Sequence, residues 1–162
     1  MITLSKKELV SALSKCSKVL LKKPSLEVLT GVNIVCKDGV CKFVATDLEN
    51  EITIKLNSAT FDNDNSFVLM DIDSLSKAIK LFGDVITFEQ VDNSVVVSSG
   101  SKSIKVKCLD SKDFPECNLL GEFKVNYQFK VNSKELENLC AKVAYAVSKE
   151  NARPALTTVC FR

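Results

Sequence analysis

The apolar residues of the first 57 positions change from helical to strand spacing along the chain. A stripe that recurs at every third or fourth position from Leu9 to Leu20 predicts a helix that runs to about Leu21. Ser5 and Glu8 have the spacing of a capping box, so this helix is expected to begin directly after Ser5. Alternating residues predict one strand before the helix and three after it, at 1–4 and near 28–36, 41–46 and 51–57.

The next stretch of the chain repeats this order of elements. A polar loop over 57–66 precedes a strand at 67–70, and Asp71 can cap a helix that runs to about Phe82. Three strands are predicted to follow, near 84–90, 94–99 and 103–108. Two βαβββ units predict an α+β fold in which the helices lie on one side of a broad antiparallel sheet.

The opening of the chain also recurs near its end. Residues 129–161 align without a gap on residues 2–34, at an offset of 127, with eight identities where composition alone would give about two. A repeat of this length has the size of a domain. We therefore expect a complete domain over 1–122, with a connector from about residue 109, and the incomplete start of a second copy over 123–162.

The second copy is expected to begin like the first. Its pattern predicts a strand, a capped helix and a strand, at 126–131, 133–147 and 155–161. An incomplete unit of this kind exposes an apolar helix stripe and a strand edge. We expect a second copy of the chain, through self-association of residues 126–162, or the edge of the first domain's own sheet to cover them.

Lysine is concentrated on the predicted helices. The segment from Ser5 to Lys23 holds six lysines and one glutamate, a charge of +5, whereas the whole chain carries +2. The lysines lie opposite the apolar stripe of the first helix, flank that of the second, and recur in the third. They are Lys7, Lys15, Lys18, Lys22, Lys77, Lys80, Lys134, Lys142 and Lys149. Such flexible cations suit sequence-independent contact with a phosphate backbone, and a solvated helix face is the simpler alternative.

The composition argues against the commonest enzyme classes. The 162 residues include no histidine, which removes the usual general base and the usual metal ligand. A cysteine nucleophile that acts without histidine is the least favoured alternative. Seven cysteines without a CxxC motif, in a chain with no export signal, predict the reducing cytoplasm. The longest apolar runs are too short to cross a bilayer, so no membrane partner is predicted.

Two pairs of side chains have alternative chemistries. Cys36 and Cys41 flank a two-residue Asp-Gly turn, so they are expected to face each other across a hairpin, either as an oxidisable pair or as two reduced packing thiols. Asp71 and Asp73 could bind a metal, but a helix cap beside a solvated carboxylate explains them more simply. We therefore predict neither a metal nor a cofactor.

Four short motifs have the order and spacing found in a known family. They are Lys23-Pro24-Ser25-Leu26-Glu27-Val28-Leu29, Ala45-Thr46-Asp47-Leu48-Glu49-Asn50-Glu51-Ile52, Lys112-Asp113-Phe114-Pro115 and Arg153-Pro154-Ala155-Leu156. Together with the repeat, they make essentially the whole chain resemble the bacterial β sliding clamp, the beta subunit of DNA polymerase III. The resemblance implies a DNA-clamp fold and a non-catalytic processivity role in DNA replication. In that family, three such domains per subunit form a two-subunit ring whose helices face duplex DNA.

The resemblance also implies which residues face DNA. The basic residue before the proline corresponds to Lys23, with Lys22 beside it, and the second copy offers Lys149 and Arg153. Glu150 departs from this pattern, because it places a negative charge in the same turn. With the helix lysines, the predicted DNA-binding residues are Lys7, Lys15, Lys22, Lys23, Lys80, Lys149 and Arg153.

The resemblance further implies protein partners, the replicative polymerase and the clamp loader. The family's pocket for partner peptides is shaped by its second and third domains, so the usual pocket is expected to be absent from this chain. The alternative interpretation is a truncated clamp paralogue that associates with itself or with a full clamp and does not encircle DNA.

Overall fold

The computed structural model describes residues 1–115, 130–150 and 153–161, which belong to two compact units, Met1–Asn118 and Leu119–Arg162. The domain boundary predicted near residue 122 lies outside the described residues, as does most of the strand predicted at 126–131.

The described part of the first unit, residues 1–115, contains nine strands and two α-helices. The strands are β1 Ile2–Ser5, β2 Val32–Lys37, β3 Val40–Thr46, β4 Glu51–Leu56, β5 Thr60–Phe61, β6 Asn65–Leu69, β7 Val85–Val91, β8 Ser94–Ser99 and β9 Lys102–Asp110. The helices are α1 Lys6–Cys16 and α2 Ile72–Ile79, and short 3-10 helices cover Glu27–Thr30 and Ser111–Asp113. All strand pairs are antiparallel, in the order β4-β3-β2-β6-β9-β8-β7-β1-β5. The α+β fold with helices on one side of a broad sheet is confirmed.

The core lies between the sheet and the two helices. Leu9 and Leu13 of α1 and Leu75 of α2 are almost completely buried against alternate residues of the strands, such as Phe43 and Phe88. Burying a leucine side chain contributes about 1.5–3 kcal/mol, so this layer holds α1 and α2 in place. The opposite face of the sheet carries a smaller apolar cluster, which the side chain of Phe114 covers.

Both helices of the first unit end earlier than the apolar pattern predicted. The helix α1 ends at Cys16, not near Leu21, and α2 ends at Ile79, not at Phe82. The chain continues in tighter turns, in which backbone N–H groups donate to the carbonyl three residues earlier, as Phe82 does to Ile79. Leu20 and Phe82 still reach the core from these turns, which is why they extended the helical pattern in the sequence.

Three other short elements differ from the prediction. The strand predicted near 28–36 begins only at Val32, after the 3-10 helix Glu27–Thr30, and the loop over 57–66 contains the two-residue strand β5. In the second unit, a 3-10 helix at Pro154–Thr157 replaces the predicted strand at 155–161, and no strand follows it in the described residues. The two 3-10 helices depend on a few local hydrogen bonds, and β5 depends on its pairing with the distant β1. Apolar spacing encodes neither.

The second unit repeats the local structure of the first. Its helix, α3 Ser133–Val143, corresponds to α1 at the offset of 127 residues, and Pro154–Thr157 corresponds to Glu27–Thr30 at the same offset. A 3-10 helix, Ala144–Ala146, follows α3 where the helix was predicted to continue to residue 147. The repeat read from the sequence is therefore also a repeat of elements.

Candidate nucleic-acid interface

The two helices of the first unit lie side by side and antiparallel. The Lys6 ammonium, at the beginning of α1, reaches the end of α2, and Ser17, just after α1, lines a cleft with Asp73 in the first turn of α2. The exposed side of α1 carries Lys7 and Lys15, opposite its buried residues. This pair of helices forms one surface, which we call the helix face.

All seven predicted DNA-binding residues are exposed. Ion pairs between described residues join only the Met1 amino group to Asp62 and Lys107 to Glu27, so none of the seven is paired with a described carboxylate. Their positive charges are therefore available to a polyanion.

Lys22 and Lys23 do not lie on α1. They follow it in a loop that is closed by a hydrogen bond from Leu21 N to Leu29 O, 3.3 Å long. The helical arrangement predicted for Lys18 and Lys22 is therefore wrong, because the helix ends at Cys16. Proline disfavours helical backbone in the residue before it, so Pro24 disfavours a helical conformation at Lys23.

The second helix contributes no net charge to the helix face. Asp71 and Asp73 near its beginning offset Lys77 and Lys80 at its end, two negative charges against two positive ones. Both aspartates line the same cleft as Lys22. The positive charge of the helix face therefore comes from α1 and the loop after it, a distribution that the lysine count alone did not reveal.

Two lysines that the sequence analysis did not select bind the end of α2. Lys6 Nζ donates to the carbonyl oxygens of Lys80 and Phe82, at 3.1 and 2.8 Å, and Lys102 Nζ donates to Leu81 O at 2.5 Å. Cations stabilise the carbonyl groups that a helix leaves unpaired at its end. Lys6 and Lys102 are far from α2 in sequence, so no local signal could identify them. They set the position of Lys80 relative to α1.

Glu8 links the beginning of α1 to the loop between β4 and β5. Half of the predicted capping box forms, because Ser5 Oγ accepts a hydrogen bond from Glu8 N at 3.3 Å. The Glu8 carboxylate instead accepts from Asn57 N at 2.7 Å, Ser58 N at 2.8 Å and the Ser58 hydroxyl. The Ser58 hydroxyl and these backbone groups lower the pKa of Glu8, although its partial burial opposes them. Glu8 therefore holds α1 to the sheet and leaves Lys7 beside it exposed.

The second unit carries the other two predicted residues. Lys149 follows α3 and its 3-10 turn, and Arg153 precedes the 3-10 helix Pro154–Thr157. Ser148 N donates to Leu156 O at 2.9 Å, which closes this loop as Leu21 and Leu29 close the loop of the first unit. Glu150 lies in the same loop and is also exposed.

The predicted helix cap at Asp71 is confirmed. Asp71 Oδ1 accepts a hydrogen bond from Ser74 N at 3.3 Å, at the beginning of α2. Within the described part of the chain, no group of three or more acidic, cysteine or histidine side chains could hold a metal ion. None of its helices is long and apolar enough to cross a membrane.

Comparisons with known proteins point to one family. Residues 1–119 match the family described as "DNA polymerase III beta subunit, N-terminal domain". Beta sliding clamps of Bacillus subtilis and Staphylococcus aureus are each 24% identical to this chain, over 97% of it and 43% of their own length. The chain therefore spans less than half the length of these relatives.

Solved structures agree with this assignment. The DNA polymerase III beta subunit of Thermotoga maritima is 26% identical, with a TM-score of 0.79 over 93% of this chain and 41% of that one. The subunit of Pseudomonas aeruginosa, at 19% identity, shares the fold with a TM-score of 0.83 over 96% of this chain and 42% of its own. Since the family match covers 119 of the 162 residues, this chain belongs to the DNA polymerase III beta subunit family, through the N-terminal domain.

Proposed function

We propose that this chain is a non-catalytic, sliding-clamp-like processivity component that contacts the backbone of duplex DNA without reading its sequence. The residues proposed to face DNA are Lys7, Lys15, Lys22, Lys23, Lys80, Lys149 and Arg153. The observation that carries the proposal is the helix face, where exposed lysines of α1 and its following loop lack carboxylate partners among the described residues. Family membership supports it independently.

The type of side chain agrees with sliding contact. Lysine ammonium groups attract phosphates as point charges, whereas arginine forks and aromatic platforms would favour fixed contacts with bases. The α1 segment up to Lys23 contains no arginine or aromatic residue. We therefore propose weak binding that depends strongly on salt and little on sequence.

A salt titration tests this proposal. Fluorescence anisotropy with a labelled duplex is expected to show a log–log dependence of affinity on salt with a slope of about −0.9 per phosphate contacted. The double variant Lys22→Glu/Lys23→Glu is expected to abolish binding, because it reverses two adjacent charges in the loop that follows α1.

A control variant with the same change in charge is available on the other face of the sheet. Lys42 and Lys55 lie directly opposite each other on β3 and β4, beside core residues that point towards the helices. Lys42→Glu/Lys55→Glu should therefore bind DNA almost as well as the wild type. Equal losses in the two double variants, or no binding by the wild type at low salt, would contradict the helix-face proposal.

A specific observation favours a second candidate function, self-association through residues 126–162. Within the described part of this segment no residue is buried, and α3 exposes Leu139 and Val143 at 52% and 44%, next to Tyr145 at 87%. An apolar stripe of this kind favours a protein partner. Light scattering tests this candidate, since Leu139→Ser/Val143→Ser should convert an oligomer into a monomer. A wild-type chain that is monomeric at high concentration would exclude it.

Partners among replication proteins are proposed from the family alone. A replicative polymerase and a clamp loader are the partners to test, and we propose that they do not use the family's peptide pocket on this chain. A pull-down with a clamp-binding peptide tests whether this chain binds peptides in that way, with a full-length clamp as the positive control. Retention of the peptide by this chain would contradict the proposal.

A further inference from the structure

Two buried cysteines form a pair that DNA contact does not use. Cys36 on β2 and Cys41 on β3 lie directly opposite each other, and their Sγ atoms are 2.9 Å apart. Each side chain is only 1% exposed, and both are free thiols. Both belong to the core beneath the helices. The register predicted from the Asp-Gly turn is therefore confirmed.

The hairpin places this pair in a geometry suited to a disulfide. Asp38 and Gly39 form the turn with φ angles of 51° and 73°, so Lys37 and Val40 are the hydrogen-bonded pair that flanks it. The next pair along the ladder, formed by the two cysteines, is therefore a non-hydrogen-bonded pair. Opposite Cα atoms at such positions are about 4.5 Å apart, within the range that disulfides span.

We propose that Cys36 and Cys41 form a dithiol–disulfide couple that closes the β2–β3 hairpin when the protein meets a small-molecule disulfide. In the first step, the Cys36 thiolate attacks one sulfur of that disulfide, forms a mixed disulfide and releases one small thiolate. In the second, the Cys41 thiolate attacks Cys36 Sγ and releases the other. The two protein thiols are oxidised, the small disulfide is reduced to two thiols, and the two protons pass to the departing sulfurs.

A hydrogen bond joins the two thiols of this pair. The hydrogen bond with Cys41 lowers the pKa of Cys36, whereas the same contact raises the pKa of Cys41. Burial raises the pKa of Cys16, on α1, to about 11, so the Cys16 thiol is less reactive than that of Cys36. Among the described cysteines, Cys36 and Cys41 alone have their sulfurs within hydrogen-bonding distance of each other.

Local opening of the hairpin controls access to the pair. The residues of its tip, from Lys37 to Val40, are all exposed, whereas the sulfurs behind them are buried. Oxidation must therefore follow opening of the tip and proceed slowly in the native state. Once formed, the bond joins two strands that already pair, so it stabilises the sheet beneath α1 without moving it.

Peptide mapping of the full chain tests the proposal. A background variant with Cys117, Cys140 and Cys160 replaced by serine keeps only the four buried cysteines, Cys16, Cys36, Cys41 and Cys108, and oxidised glutathione is the oxidant. Because Lys37 lies between Cys36 and Cys41, trypsin separates them into peptides 23–37 and 38–42. After oxidation, mass spectrometry without reductant should find these two peptides linked, with the loss of two hydrogen atoms.

Two controls and a second measurement make the outcome decisive. Cys36→Ala should lose the linked peptides, and Cys16→Ala should keep them. In the background variant itself, oxidation should raise the melting temperature by roughly 5–10 °C, because the bond constrains the unfolded chain. Separate, unlinked peptides after prolonged oxidation, a persistent glutathione adduct on either cysteine, or an unchanged melting temperature would overturn the proposal.

Discussion

Residues 2–34 and 129–161 share a sequence pattern and a local structure but differ completely in burial. The first copy buries Leu9, Ala12 and Leu13 of α1 against the sheet, whereas the described part of the second buries no residue. The two α-helices nevertheless begin and end at equivalent positions. Local signals therefore define these elements, whereas the nine-stranded sheet is what buries α1.

Local hydrogen bonds explain why the described part of the second copy keeps its form although none of its residues is buried. Asn132 caps α3 by accepting from Lys134 N and Glu135 N, as Ser5 caps α1. The hydroxyl of Thr157 donates to Pro154 O at 2.8 Å, as Thr30 does to Glu27 O at 2.9 Å. These contacts span three residues at most, so they need no partner element.

The largest contrast is expected for one leucine at equivalent positions of the two helices. Leu9→Ala should lower the free energy of unfolding of the first unit by about 3 kcal/mol, because it leaves a cavity in a fully buried site. Leu136→Ala, at the equivalent position of α3, should change the free energy of unfolding by less than about 0.5 kcal/mol, because Leu136 is not buried. Urea unfolding followed by circular dichroism measures both, and equal losses would show that α3 is as tightly packed as α1.

Gly31 provides the next contrast, since the equivalent position in the second copy already holds Thr158. A Cβ atom on Gly31 would lie 2.7 Å from Leu69 O and from side-chain atoms of Val68 and Met70. Gly31→Thr should therefore destabilise the first unit by about 2 kcal/mol through overpacking. Thr158→Gly should change the free energy of unfolding by less than about 0.5 kcal/mol in the same assay. If Gly31→Thr is tolerated, Gly31 is not packed closely against Leu69, Val68 and Met70.

A pH-dependent effect is expected for Glu8, which links α1 of the first copy to the loop after β4. Hydrogen bonds lower the pKa of Glu8 below its unfolded value near 4.5, so its contribution to stability is complete above that pH and is lost as the pH falls through the folded pKa. Glu8→Gln should cost about 1 kcal/mol at pH 7 and progressively less below pH 4.5. Urea unfolding of Glu8→Gln and the wild type between pH 3 and 7 measures this trend, and parallel profiles of the two proteins would refute the role of Glu8.

The smallest effect is expected where the copies differ in charge, at Lys23 and Glu150. If both loops face DNA, Lys23→Glu should flatten the log–log salt dependence of DNA binding by about one unit, and Glu150→Lys should steepen it by about one. Anisotropy titrations at several salt concentrations measure both slopes. If only Lys23→Glu changes the slope, DNA contact is confined to the first unit.

The fold was largely predictable from the sequence, and the errors have a common cause. Most strands and all three α-helices were predicted near their observed positions, because alternation and helical spacing report which side chains are buried. The same signal extended α1 to Leu21 and α2 to Phe82, because residues beyond each helix also reach the core. The 3-10 helices and β5 were missed, because they depend on a few hydrogen bonds and leave no apolar period.

The candidate interface was only partly predictable. Exposure of the lysines follows from their place opposite apolar residues, whereas the roles of Lys6 and Lys102 depend on contacts with the distant end of α2. The cleft lined by Asp73 and Lys22 also depends on contacts between distant segments, so it could not be predicted either. DNA binding by these residues stays a prediction that the salt titration tests.

Four features could be read from the chain alone: the order of the elements, the duplication, the register of the β2–β3 hairpin and the sign of charge on α1. The first, third and fourth depend on residues close together in the chain, and the duplication depends only on comparing two stretches of residues. Only the tertiary structure decided which copy is buried, where Gly31 is required, and which lysines are used to hold α2. Those outcomes depend on contacts between segments far apart in sequence, where side-chain spacing carries no information about the partner.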